Sequence, residues 1–189
     1  MTLFLFGLVV FFGTHLWTAL ARKPREALIA RLGAGPYKGL YSLVSVAGFA
    51  LLIVGWRGAD ASVVYAPPAF LKHVAYLLML IALILLASAY LPKGKIAAAA
   101  QHPILASVKV WAFSHLLVNG EVRSLILFGA FLAYAVIDRI AVKKRGAPTP
   151  TPTAGPAAND AIAVAVGAGA WAAIYLALHP YIAGVALRP

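Results

Sequence analysis

Apolar residues run through this chain in blocks of about twenty, broken by short stretches that carry nearly all the charge. A bilayer's hydrocarbon core needs about 17–25 such residues per helical span. The blocks predict spans near residues 3–20, 39–56, 69–90, 103–119 and 122–141. A sixth runs from about residue 160 to 178, after a Pro/Thr-rich linker at 146–159, and is closed by His179-Pro180, with a tail ending at 189. The predicted fold is all-α, a polytopic integral membrane bundle of five to six transmembrane helices. Residues 1–145 form one membrane domain in this reading, with a C-terminal helix beyond the linker.

Local signals refine the spans. ALIARL at 27–32 reads as a short interfacial helix stopped by Gly33-Ala34-Gly35-Pro36. Pro67-Pro68 ends the loop before the third span. Its centre, YLLMLIALILLASAY, suits lipid-facing packing. Pro103 can occupy the first turn of the fourth span, where its missing N–H would have had no partner, and His102 then lies near the cap. Tyr41 and Ser45 are four apart and share a face. The N-terminus is apolar from residue 2, without a basic leader, and reads as a permanent first span.

Composition agrees: 63% of the 189 residues are apolar, against about 45–50% in a soluble domain. The net charge of +11 comes from loops between the apolar runs, which suits topology and anionic lipid and not nucleic acid. Arg22, Lys23, Arg25, Arg31, Lys38, Lys93, Lys95, Arg139, Lys143, Lys144 and Arg145 fall on one side. Arg57, Lys72, Arg123 and Arg188 fall on the other. The positive-inside rule makes the first side cytoplasmic and puts both termini outside. With no cysteine, disulfides, thiolate-held zinc and covalent c-type haem are excluded.

Candidate chemistry centres on Gln101–Arg123, which places two histidines, a lysine, a tryptophan and an asparagine in or beside one span. His102 and His115 lie about 20 Å apart along a helix and on different sides of it, so they cannot share an ion. Trp111, His115 and Asn119, spaced by four, would form a column that orients a ligating imidazole; the same column also reads as an interfacial belt. His15 in the first span reads either as a ligand or as a hydrogen-bond donor between helices. Lys109 and Arg123 could meet the propionates of a porphyrin; equally, Lys109 could snorkel and Arg123 could be a solvated charge after a turn. His73, Lys72 and His179 form a second outer polar cluster or headgroup anchors. A b-type haem needs only two histidines and an apolar slot, and with no cysteine and only two methionines copper is poorly served. No midplane carboxylate marks a proton pump or cation transporter.

FGTHLWTALARKP at 12–24, YKGLYSLVS at 37–45 and QHPILASVKVWAFSHLLVNGEVRSLILFG at 101–129 resemble the NnrU family of bacterial membrane proteins. The resemblance implies a role in denitrification and nitric oxide metabolism, and a kinship with 15-cis-zeta-carotene isomerase. That relative is understood to hold b-type haem by histidines, whose positions would fall on His15 and His115. Its alternative cysteine ligand would fall at Ala112, so a redox swap of ligands does not carry over. The implied function is haem-binding redox or isomerase-like chemistry. The alternatives are a non-enzymatic accessory or assembly factor for a respiratory nitrogen-oxide reductase, and a small transporter. Expected partners are membrane lipid, a respiratory or denitrification protein and a second copy of the chain through Gly-rich helix faces; nucleic acid is not expected.

Overall fold

The computed structural model describes residues 1–144 and 153–187. The first part of the proposed linker, from Gly146 to Pro152, lies outside the described residues; Thr153–Pro156 has no regular structure. The fold is all-helical. α1 spans Thr2–Leu20, α2 Arg22–Leu32, α3 Ala34–Trp56, α4 Leu71–Tyr90, α5 Lys95–Ala100, α6 Pro103–Val118, α7 Val122–Lys144 and α8 Ala157–Ala173. A π-helical turn, Ile174–Leu178, joins α8 to α9, His179–Ala183. Among the described residues, five helical stretches are long and apolar enough to cross a membrane: α1, α3, α4, α7 and the continuous run Ala157–Ala183. α6, at 16 residues, covers about 24 Å at 1.5 Å per residue, short of a hydrocarbon core of about 30 Å.

The helices sort into two compact units, Met1–Pro67 with Asn119–Ala147, and Pro68–Val118 with Pro148–Pro189. In the first, α1 packs on α3 and α7, and α2 packs on α1 and α3. The α1–α3 pair is antiparallel. A β-carbon on Gly55 would lie 2.5 Å from the Phe4 nitrogen, one on Gly7 2.6 Å from that of Leu52, and one on Gly48 2.7 Å from that of Phe11. Glycines are required because the two backbones touch, and dispersion at that distance substitutes for the hydrophobic drive that lipid removes. Phe4, Leu8, Phe12 and Leu52 are buried alongside this seam, with Ile126, Ala130 and Phe131 of α7 against them.

The second unit is built differently. α4 packs on α6 and α8, with α5 tucked beside them. Its buried positions are small: Ala75, Ala82, Ser88, Ala97, Ser107, Ala112, Ser114 and Ala163. Asp160 of α8 accepts the backbone N–H groups of Lys95 and Ile96, at 2.9 Å each, and so caps α5 from a distant part of the sequence. Asn159 donates to the Lys93 carbonyl at 2.9 Å. Large apolar side chains such as Val9, Leu43, Val46, Ile53 and Leu77 remain on the outside of their helices, as lipid contact requires.

Three element bounds differ from those predicted, each for a physical reason. α3 begins at Ala34, so the Gly-Ala-Gly-Pro stop is a single kink at Gly33 (φ 86°), and Pro36 sits in the first turn of the next helix. α7 runs on through Lys143 and Lys144, whose charges favour a helix C-terminus. His179-Pro180 does not end the last helical run: the π-helical turn before it adjusts the backbone, and Pro180 opens α9 near its N-terminus.

Candidate functional site

His15 lies on α1, two turns beyond the Gly7 contact. Its Nδ1 is 2.7 Å from the Phe11 carbonyl oxygen. A carbonyl only accepts, so Nδ1 carries a proton, and in the neutral ring the lone pair is then on Nε2. Aromatic rings surround the imidazole: Phe11 at 4.3 Å between centroids, and Tyr41 of α3 and Tyr134 of α7 at 5.6 Å each. The Tyr134 hydroxyl donates to Asp138 at 3.5 Å, one turn further along α7. Three helices therefore converge on His15. The sequence reading singled out neither Phe11 nor Tyr134, though the spacing of four between Phe11 and His15 and between Tyr134 and Asp138 was a usable signal.

His115 repeats the arrangement in the other unit. Its Nδ1 donates to the Trp111 carbonyl at 2.8 Å, and the Trp111 ring lies 5.1 Å from the imidazole. Ser114, fully buried, approaches the same nitrogen at 3.4 Å. The Trp111–His115 part of the expected column is thus present. Asn119 follows the last residue of α6, and its carbonyl accepts the Tyr65 hydroxyl at 3.4 Å. His179 also ties Nδ1 to a carbonyl, that of Val185 at 2.7 Å, and lies within electrostatic reach of His115. In the same unit, Trp171 and Tyr175 stack at 5.1 Å, and Trp171 donates to the Tyr76 carbonyl at 3.0 Å.

The remaining expected residues scatter. His102 sits at the start of α6, where its carbonyl accepts the Ala106 N–H at 2.9 Å, as a capping position does. Lys109 is half-buried on α6. Arg123 is half-buried: its Nε donates to Glu121 at 2.8 Å and its guanidinium lies 4.7 Å from the Trp56 ring centroid. It belongs to a clasp in which Asp60–Tyr65 runs beside Gly120–Arg123, with Val64 N–H on the Gly120 carbonyl at 2.8 Å and Val122 N–H on that of Ser62 at 3.0 Å. His73 is exposed, 6.3 Å from Tyr76.

Among the described residues, no three His, Cys, Asp or Glu side chains gather as a metal-ion site would need. An iron held mainly by a porphyrin needs only one or two axial nitrogens. An imidazole with Nδ1 fixed to a carbonyl presents Nε2 in the form that ligates iron. His15 and His115, each in its own unit, offer a single imidazole nitrogen of the kind that a porphyrin-held iron would take.

The family profile described as NnrU protein matches residues 3–187. The chain belongs to the NnrU family. The match reaches past the linker and takes in α8 and α9 as well as the helices before it. No curated protein and no solved structure matches the chain. This NnrU protein is a multi-pass integral membrane protein with an all-helical bundle in contact with lipid.

Proposed function

We propose that this NnrU-family protein binds b-type haem through histidine in a bacterial inner membrane and serves nitrogen-oxide metabolism. The observation that carries this reading is that His15 and His115 each bond through Nδ1 to a carbonyl one turn back on its own helix, which in the neutral ring leaves the Nε2 lone pair for a ligand. The aromatic shell of Phe11, Tyr41 and Tyr134 around His15 adds the apolar, planar surroundings that a porphyrin edge favours. The role in nitrogen-oxide metabolism rests on family membership. A bound haem would supply a single-electron iron centre able to take nitric oxide as a ligand.

The test is an absorbance spectrum with iron and haem analysis of the detergent-purified chain. One haem per chain with a Soret band is expected, and the band is lost when His15 and His115 are both replaced by alanine. Single replacements of His15, His115 and His179 then say which imidazole ligates. A pure, folded protein that takes up no haem would refute the reading.

A further inference from the structure

Among the described residues of the first unit, the buried side-chain atoms without a hydrogen-bond partner include two donors on neighbouring side chains. The Nε of Arg25, on α2, and the hydroxyl of Tyr37, at the start of α3, are both shielded from solvent and have no hydrogen-bond partner. Tyr37 is only 7% exposed. The two side chains are neighbours, with the Arg25 guanidinium 5.7 Å from the Tyr37 ring centroid. Neither group is easily left bare: a guanidinium does not lose its charge, and a buried hydroxyl without a partner is destabilising. Two orphaned donors side by side call for one ligand with several acceptor oxygens and a negative charge.

Their place in the chain narrows the ligand. α2 links two spans and buries none of its own residues, so it lies where a membrane meets water. Arg22, Lys23, Arg31 and Lys38 lie in the same stretch of sequence as the pair, with Glu26 the only acid between residues 22 and 38, and that acid is engaged by Arg22 at 2.8 Å. We infer that Arg25 and Tyr37 form a headgroup site for an anionic phospholipid, whose phosphate diester accepts from both. Arg25 gives a charge-assisted bond to phosphate, and Tyr37 adds a directional one that a diffuse basic surface lacks. The exposed cations around them attract the lipid without selecting it.

Native mass spectrometry of the full chain, released from nanodiscs of equal phosphatidylglycerol and phosphatidylcholine, reads the preference directly. The wild-type protein is expected to retain phosphatidylglycerol over phosphatidylcholine. Arg25→Gln and Tyr37→Phe each lower that ratio by about tenfold, while Lys23→Gln, which removes a charge outside the pair, leaves it within about twofold. Tyr37→Phe deletes only an unpartnered hydroxyl. It should therefore melt no lower than wild type in phosphatidylcholine alone, and gain less from added phosphatidylglycerol. Equal loss in Lys23→Gln would reduce the effect to diffuse charge and overturn the site. So would a wild-type protein with no lipid preference, or displacement of the lipid by inorganic phosphate, which would assign the pair to a soluble anion.

Discussion

Gly48 of α3 faces the backbone of Phe11 of α1 so closely that a β-carbon on Gly48 would lie 2.7 Å from the Phe11 nitrogen. Four residues after Phe11 comes His15, whose ring is tied to the Phe11 carbonyl. The close helix seam and the orientation of the imidazole therefore share one residue. Gly48→Leu should push α1 from α3 at a cost of about 1–3 kcal/mol. Gly13→Ala, with open space around it, should be neutral or slightly stabilising. Thermal unfolding in detergent compares the two.

Asp160 holds α5 by two backbone N–H groups. Asp160→Ala should expose both donors at a cost of about 0.5–2 kcal/mol, and Asp160→Asn should recover part of it. Hydrogen exchange at Lys95 and Ile96 is the sensitive readout: protection falls there first, while α1 and α3 are unaffected.

The clasp beside Trp56 depends on a planar cation. Arg123→Lys keeps the charge but loses both the Nε bond to Glu121 and the stacked approach to Trp56. A loss of about 0.5–1 kcal/mol is expected, with a change in the emission of Trp56.

The same clasp should be sensitive to acid. The hydroxyl and backbone N–H of Ser62 hold the Asp60 carboxyl below its ordinary value of 3.8. A carboxyl depressed on folding stabilises the clasp above its unfolded value, and that contribution is lost as pH falls through the lowered one. The protection factors of the Val64 and Val122 amides, exchange rates taken relative to the unfolded chain at the same pH, should therefore fall below about pH 4, and Asp60→Asn should flatten that dependence.

The spans were legible because lipid imposes its thickness on the sequence: α1, α4 and α7 begin or end within a few residues of the apolar blocks. The short α2 was legible from ALIARL between basic residues. The tautomer of His15 was not, because it depends on helix geometry around Phe11. The pairing of α1 with α3 was written only as Gly7, Gly48 and Gly55, and glycine spacing does not name its partner helix. Arg25 read as one more topology charge, and nothing in its neighbours in sequence reveals that Tyr37 covers it. Asp160 capping α5, across more than sixty residues, has no local signature at all.

Haem titration of detergent-purified His15→Ala, with and without free imidazole, tests the haem reading most directly. The wild-type chain should bind one haem with a sharp Soret band. His15→Ala should bind weakly with a shifted band, and added imidazole, filling the space beside Phe11, Tyr41 and Tyr134, should restore it. Unchanged haem binding by His15→Ala would contradict a ligating role for His15, and no stoichiometric uptake by the wild-type chain would contradict the haem reading altogether.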